Sequence, residues 1–330
     1  MGAADRARAN RSRAPAAGGD AWATIALATG YRYLRAEPDG RFPIIFRMAG
    51  RDVAAAFAAL RARPGWQVPE VYAEDAHLFP RSQAFATARL TRAAYLELIA
   101  GRVTSIHSWS LQLPVKPERA RPASPSSDPR GDLTEPAPLV PDGSRARAGS
   151  RQLFGVIDSG CPFARSDLLD GGRSRIVSLW DQDERPVLSS LPDGDPCKAR
   201  KPRRTGYGGE LVGAQLELWA SRFRDDAGLT NERACYRAAG YRLLDAEFQH
   251  GAAVLSLLAG PSTVEGRHPA RPDSRPQWRT ESTRRAARAD IIFVQVSADS
   301  VQDSSSASLP RSLLDGLRHI AAVARERACK

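Results

Sequence analysis

The sequence predicts a two-domain protein, in which a small α+β domain precedes an α/β domain built on a doubly wound, mainly parallel sheet. Residues 42–113 alternate strand-like and helix-like segments in the order β-α-β-β-α-β. Two short apolar runs, LFGVI at 153–157 and IIFV at 291–294, are typical of strands buried on both faces of a parallel sheet. A Pro/Ser/Arg-rich stretch at 116–150 indicates a linker between the two domains.

The composition is that of a soluble protein with an arginine-rich surface. The 330 residues include 48 Lys+Arg and 37 Asp+Glu, which gives a formal net charge of +11, and only four of the basic residues are lysines. The arginines are scattered along the chain, whereas a nucleic-acid site would cluster them, so nucleic-acid binding is disfavoured. No run approaches the ~20 apolar residues of a membrane span, and no apolar core of a signal peptide follows the basic N-terminus. We therefore expect a cytoplasmic protein without membrane contact.

The first domain is predicted at residues 31–115, after a basic arm at 1–30 that we expect to be disordered. Strands are indicated by FPIIFRM, WQVPEVYAED, SQAFATARL and the closing VTSIHSWSLQLPV, which begin at residues 42, 66, 82 and 103. Helices are indicated by GRDVAAAFAALRAR and TRAAYLELIAG, which begin at residues 50 and 91. Thr91 is the expected N-cap of the second helix, and Gly101 is expected to end it. This element order is ferredoxin-like, a fold that serves many unrelated functions.

The second domain is predicted at residues 151–330. A helix, HGAAVLSLLAG at 250–260, lies between the two apolar strands, and a segment of about 181–247 is expected to be an insertion with a helix at 209–224. SLPRSLLDGLRHIAAVARER at 308–327 predicts a last helix capped by Ser308. Its apolar stripe is expected to face the core and consists of Leu313, Leu317, Ile320 and Ala324.

Two residues of this domain are candidates for proton-transfer chemistry. Asp158 follows the strand FGVI directly, and open α/β sheets place their functional groups just beyond the carboxyl ends of strands. His250 is one of five histidines and begins a predicted helix, next to Gly251. A carboxylate that orients an imidazole makes that imidazole an effective base for a serine hydroxyl.

These two motifs together resemble those of the subtilisin-like serine protease family. In that family a strand ends in Asp-Ser/Thr-Gly, and a later helix opens with His-Gly-Thr-His-Val. Asp158, Ser159 and Gly160 match the first motif. His250, Gly251 and Val254 match the second, while Ala252 and Ala253 depart from it.

The resemblance implies a serine endopeptidase whose substrates are polypeptides and whose catalytic Asp and His are Asp158 and His250. The family's Gly-Thr-Ser-x-Ala-x-Pro stretch has no counterpart here, since DSSSAS at 303–308 lacks the glycine. We therefore expect residues 151–330 to be the N-terminal part of a subtilisin-like domain, truncated before the catalytic serine and inactive as written. The resemblance also implies that residues 42–113 are similar to the family's propeptide and contact the cleft.

Other functions stay open at this stage. A non-catalytic pseudoprotease or peptide-binding module is the main alternative, and a nucleic-acid binder is a weaker one. A metal hydrolase is disfavoured because no H-E-x-x-H motif occurs, and no cofactor is expected. The four cysteines form no C-x-x-C pair, although a bridge between Cys197 and Cys235 is compatible with the sequence.

Overall fold

The computed structural model describes two sheet-based units that share one long helix. The residues it describes are 21–34, 37, 39–48, 52–74, 85–114, 152–170, 172–183, 191–226, 228–241, 250–259, 262–266, 277–281, 289–303 and 305–328. The predicted linker at 116–150 and the first 20 residues of the predicted arm lie outside these ranges.

The first unit is a four-stranded antiparallel sheet with helices. Its strands are β1 (Phe42–Met48), β2 (Trp66–Gln67), β3 (Phe85–Leu90) and β4 (Ile106–Leu111), in the order β2-β3-β1-β4. Its helices are α1 (Ala21–Thr29), α2 (Val53–Ala62), α3 (Glu70–Glu74) and α4 (Arg92–Ile99). The predicted cap is confirmed, because the Thr91 side chain accepts a hydrogen bond from the backbone N–H of Ala94.

Two segments of this unit differ from the prediction. The predicted arm extends to residue 30, but Ala21–Thr29 form helix α1, and Ala23 and Ala26 are buried in the first core. The predicted second strand is also too long, because only Trp66–Gln67 are extended and a helix follows from Glu70. Pro69 explains this switch, since proline has no N–H for a sheet ladder and suits a helix start.

The second unit is a four-stranded mixed sheet with helices on both faces. Its strands are β5 (Leu153–Asp158), β8 (Ile176–Asp181), β9 (Gly209–Val212) and β12 (Asp290–Gln295), in the order β5-β12-β8-β9. Strands β5 and β8 run parallel to β12, and β9 runs antiparallel to β8. The prediction of an α/β unit with parallel strands is confirmed at this level.

The remaining elements complete this unit. Its helices are α5 (Gly213–Arg222), α6 (Glu232–Ala238), α7 (His250–Ala259), α8 (Ala298–Gln302) and α9 (Leu309–Ala328). Two short antiparallel pairs are β6 (Leu169–Asp170) with β7 (Arg173–Ser174), and β10 (Ser262–Gly266) with β11 (Gln277–Glu281). Helix α7 packs on the sheet face that carries Val156 and Phe293, and α9 packs on the face that carries Ile157 and Val294.

The predicted insertion contributes to the core of the second unit. Residues 209–212, predicted as helix, are strand β9 at the edge of the sheet, and the helix begins only at Gly213. The indole N–H of Trp219 donates to the carbonyl of Cys197, and the thiol of Cys235 donates to the carbonyl of Trp219. Both cysteines are buried and free, so the bridge that the sequence left open is not formed.

Helix α9 presents a polar face to the first unit. Its buried residues Arg311 and Asp315 bond to side chains of that unit, whereas Leu313 and Leu317 of the predicted core stripe are exposed. The assignment of that stripe to the core is therefore wrong for these two leucines. The hydrophobic period is right for a helix, but the face that meets the first unit carries the polar residues.

A buried polar network fills this interface. The Asp315 carboxylate accepts hydrogen bonds from the hydroxyls of Tyr72 at 2.6 Å, Thr87 at 2.7 Å and Tyr207 at 2.7 Å. Burial raises the pKa of Asp315, and the hydroxyl donors and the Arg311 guanidinium oppose that rise. The Asp315 carboxylate is therefore held by hydrogen-bond donors from both units.

Glu37 pairs with two arginines in the same interface. Its carboxylate accepts from Arg311 of α9 and, at 2.5 Å, from Nε of Arg89 in β3. Burial pushes the pKa of Glu37 upward, but the two guanidinium groups outweigh burial and hold it below its ordinary value. A charged cluster of this kind is costly to break once it is buried.

Candidate active site

Asp158 lies at the carboxyl end of β5, where its carboxylate is shielded and positioned by the backbone. One carboxylate oxygen accepts a hydrogen bond from the backbone N–H of Ser159 at 2.7 Å, and the side chain is 11 % exposed. The backbone carbonyl of Asp158 accepts from the N–H of Val296 at 2.9 Å, which ties the strand end to the segment after β12. The carboxylate therefore has a fixed position at the edge of the sheet.

His250 is the first residue of helix α7, and the next residue fixes its place. The N–H of Gly251 donates to the carbonyl of Ser159 at 2.8 Å. A Cβ atom at Gly251 would lie 2.4 Å from that same oxygen, so only glycine allows the helix start to approach the end of β5 so closely. This contact brings two residues that are 92 positions apart in sequence onto one site.

The predicted pair is joined directly. Nδ1 of His250 lies 2.7 Å and 2.9 Å from the two carboxylate oxygens of Asp158. A carboxylate can only accept here, so Nδ1 carries a proton, and in the neutral imidazole Nε2 then has the lone pair. The His250 side chain is 66 % exposed, so the basic nitrogen belongs to a ring that solvent and substrate can reach.

The serines of DSSSAS have a structural role in the part of the chain that the structure describes. The Asp303 carboxylate accepts from the backbone N–H and hydroxyl of Ser305, and from the backbone N–H and hydroxyl of Ser308. This arrangement organises the turn before α9. The His250 side chain has Asp158 as its hydrogen-bond partner among the described residues, and no described serine hydroxyl joins them.

Two polar residues beside Asp158 were not singled out from the sequence. Gln295 of β12 is in register with Asp158 and with Asp181 of β8, at the carboxyl ends of three parallel strands. The Gln295 amide accepts from the N–H of Cys161 at 3.3 Å and donates to Asp181 at 3.3 Å. Asp181 follows the apolar run IVSLW and Gln295 follows DIIFV, just as Asp158 follows an apolar strand. This shared pattern would have identified both residues from the sequence.

A second histidine meets a serine away from this site. The Ser178 hydroxyl donates to Glu210 at 2.6 Å, so it accepts from Nε2 of His319 at 3.1 Å. Nδ1 of His319 has no hydrogen-bond partner, and burial lowers the pKa of His319 to about 4, with Arg204 adding to the effect. Because Ser178 and His319 are both buried, this group stabilises the fold and is closed to substrates.

The first unit contacts the start of helix α9 through Gln112. The backbone N–H of Arg311, near the start of α9, donates to the side chain of Gln112 at 3.3 Å. The segment before α9 follows the carboxyl end of β12, which pairs with the end of β5. The last described residues of the first unit, which end at Pro114, therefore lie near the start of α9, on the sheet face opposite helix α7.

The described ranges offer neither a metal-binding cluster nor a membrane-spanning helix. These ranges hold no group of three or more His, Cys, Asp or Glu side chains that could bind a metal ion. None of the helices described combines the length and apolar character that crossing a membrane requires.

Comparisons with known proteins give no assignment. No family model matches the chain, and no curated protein matches it.

Proposed function

We propose that Asp158 and His250 are the orienting and proton-transferring residues of a subtilisin-like serine endopeptidase. The observation that carries this proposal is the contact of His250 Nδ1 with both carboxylate oxygens of Asp158, at the carboxyl edge of a sheet with parallel strands. The subtilisin triad is a worked case of this chemistry, with Asp, His and Ser in that chain order. The two motifs of this chain occur in the same order.

In this role His250 acts as a base and then as an acid. Nε2 takes the proton of a serine hydroxyl as the hydroxyl oxygen attacks the scissile carbonyl, and Asp158 stabilises the resulting imidazolium. The same proton passes to the departing amine, which leaves an acyl-enzyme for water to hydrolyse. No segment of this sequence matches the family's serine motif, so the 330-residue chain alone is expected to lack peptidase activity.

The order of the strands supports a subtilisin-like fold for the second unit and a ferredoxin-like fold for the first, which are part of this proposal. The second unit places β12 between β5 and β8, which leaves the strand that carries Asp158 at one side of the sheet. The strand order β2-β3-β1-β4 of the first unit suits a ferredoxin-like domain, although the short helix α3 lies between β2 and β3. We propose that this unit is the propeptide-like part of the protein and that it contacts the cleft. Its packing on helix α9 of the second unit, through Gln112, Tyr72 and Thr87, supports this proposal.

The coding sequence after codon 330, read in all three forward frames, tests this function. We expect a strand that carries an asparagine, followed by a Gly-Thr-Ser start of a helix, because these would supply the oxyanion donor and the nucleophile. The chain extended by that sequence should hydrolyse casein, and Asp158→Asn and His250→Ala should each abolish the activity. If no such segment exists in any frame, the endopeptidase proposal is wrong for this protein.

The absence of a serine motif from the sequence favours one second candidate, a non-catalytic peptide-binding module. The exposed His250 and the polar carboxyl edge would then hold a peptide without cleaving it. A stable complex between the 330-residue chain and unfolded casein, with no cleavage over a day, would favour this candidate. Binding that is unchanged in His250→Ala would argue against the Asp158 edge as its site.

A further inference from the structure

Gln295 is a buried polar residue beside the Asp158–His250 pair. It ends strand β12, whose residues are all buried, and it is itself 2 % exposed. The strand register sets Gln295 between Asp158 of β5 and Asp181 of β8, and adjacent strands of a sheet lie about 4.8 Å apart. A neutral amide therefore lies between two carboxylate residues at the carboxyl edge of the sheet.

The Gln295 side chain lies on the same face of the sheet as helix α7. Residues two apart along a strand share a face, so Gln295 lies on the face of Phe293. The Phe293 ring reaches the start of α7, because its Cζ would lie 3.0 Å from a Cβ added at Gly251. The Gln295 amide is therefore on the side of the sheet from which His250 approaches Asp158.

Both ends of the Gln295 amide are hydrogen-bonded, and the two bonds fix its orientation. Nε2 donates to a carboxylate oxygen of Asp181 at 3.3 Å, and Oε1 accepts from the backbone N–H of Cys161 at 3.3 Å. Asp181 is 1 % exposed, and its other oxygen accepts from the backbone N–H of Asp183 at 3.0 Å. Because an ionised carboxylate only accepts, the amide nitrogen faces Asp181 and the amide oxygen faces Cys161.

The Cys161 N–H that Gln295 binds belongs to a tight turn at residues 158–161. The chain leaves β5 through Gly160, whose φ of 80° lies in the left-handed region that favours glycine. Cys161 follows this glycine and is fully buried. The bond from Cys161 to Gln295 therefore ties the far end of the turn to the neighbouring strand β12.

The near end of the same turn holds the candidate pair. The N–H of Ser159 donates to the Asp158 carboxylate at 2.7 Å, and the carbonyl of Ser159 accepts from the N–H of Gly251 in α7 at 2.8 Å. Both contacts use the backbone of one residue, so a rotation of the turn changes the direction of the carboxylate and the position of the helix start together. The hydrogen bond at Cys161 limits that rotation.

We propose that Gln295 is a positioning residue for the Asp158–His250 pair, because its amide holds the turn that directs the Asp158 carboxylate toward Nδ1 of His250. Its contribution to catalysis rests on the proposed function, in which that contact fixes the tautomer of the base. Gln295 acts through Asp158 and does not itself transfer a proton. An apolar side chain of similar size would fill the same space but would leave the buried Cys161 N–H without its acceptor.

The tautomer of His250 in the 330-residue chain tests this role. Long-range ¹H–¹⁵N spectra of the chain with ¹⁵N-labelled histidine show which ring nitrogen carries the proton, and His250→Ala identifies the His250 signals among those of the five histidines. At about pH 8.5, where an imidazole of ordinary pKa is neutral, we expect the proton on Nδ1. Gln295→Met should reduce this Nδ1–H form about twofold or more, because the Cys161 N–H loses its acceptor.

Gln112→Met is the matched control. Gln112 is 3 % exposed, and its side chain also accepts a backbone N–H at 3.3 Å, that of Arg311 in α9. Its substitution makes the same chemical change at an equally buried amide that has no contact with the turn at 158–161. It should leave the His250 tautomer unchanged.

Two further variants separate positioning from folding. Gln295→Glu keeps an oxygen acceptor for the Cys161 N–H, and a proton shared with Asp181 takes the place of the amide N–H. It should therefore retain the Nδ1–H form of His250. If circular dichroism shows that Gln295→Met does not fold, Gln295→Asn, whose amide is one methylene shorter and withdraws from Cys161, should show the same loss of that form.

Three results would overturn the inference. The first is an unchanged tautomer in Gln295→Met, which would leave the proposed function standing because Asp158 and His250 would still be joined. The second is an equal loss in Gln295→Met and Gln112→Met, and the third is a wild-type His250 whose proton is on Nε2. A tautomer that depends on Gln295, in a protein whose extended chain cleaves no casein, would instead reject the endopeptidase proposal and leave the positioning role standing.

Discussion

The polar face of α9 allows one stability prediction to be worked out in detail. Asp315 lies in the interface between the two units, where its Oδ1 accepts from Tyr72 and Thr87 and its Oδ2 accepts from Tyr207. Asp315→Ala removes the acceptor of all three hydroxyls at once. It also removes the negative charge near the buried Arg311 guanidinium.

The expected loss follows from the number of partners. A buried donor that loses its acceptor costs about 1–3 kcal/mol, and removal of one member of a buried charged cluster costs about 3–5 kcal/mol. These effects overlap because they concern one carboxylate. We therefore expect Asp315→Ala to lower the free energy of unfolding by at least about 3 kcal/mol.

Asp315→Asn is the matched variant. The amide oxygen can still accept from Tyr72 and Thr87, and its NH₂ group can donate to the Tyr207 oxygen. Burial raises the pKa of Asp315, so the folded state favours the neutral form of this group and should tolerate the neutral amide. We expect the Asn variant to lose at least about 1 kcal/mol less than the Ala variant.

Urea unfolding followed by far-UV circular dichroism measures both variants. A lower midpoint at an unchanged slope reports a loss of stability. Equal losses in the Ala and Asn variants, or a loss below about 1 kcal/mol in Asp315→Ala, would refute the argument from the three hydroxyl contacts.

Three further predictions concern pH, packing and thiol chemistry. Burial lowers the pKa of His319 to about 4, so between pH 6.5 and 4 the imidazole takes up a proton only in the unfolded chain. The free energy of unfolding should therefore fall by up to roughly 3 kcal/mol as the pH falls across that window. His319→Asn should remove this pH dependence when stability is measured by urea titration. Gly251→Ala should lower the free energy of unfolding by about 1–3 kcal/mol, because the added Cβ would lie 2.4 Å from the Ser159 carbonyl oxygen. An unchanged melting temperature would contradict this close contact. Burial raises the pKa of the three buried free thiols, Cys161, Cys197 and Cys235, so they should resist Ellman's reagent until urea is added. Rapid reaction of more than one thiol per chain in the native protein would contradict their burial.

The sequence predicts the elements whose signal is local. The apolar runs of β5 and β12 and the Thr91 cap are read from a few neighbouring residues, and the structure has them where they are expected. The Asp158 and His250 motifs are also local. Their meeting depends on Gly251, whose small size allows the helix start to touch the strand end.

The remaining features depend on contacts between distant parts of the chain. The leucines of α9 look like a core stripe, but Tyr72 and Thr87 of the first unit hold the opposite, polar face through Asp315. Residues 209–212 look helical, yet β8 recruits them as a strand. Propensity and period do not record which partner an element meets, so these assignments could not be made from sequence alone.

Covalent labelling of the extended chain tests the central claim most directly. A fluorophosphonate probe modifies only a serine that a neighbouring base activates. We predict that the chain extended past residue 330 is labelled, that His250→Ala abolishes labelling, and that the control His107→Ala, at an exposed histidine of β4, leaves it unchanged. Labelling that persists in His250→Ala, or no labelling of a folded extended chain, would contradict the assignment of Asp158 and His250 to a protease triad.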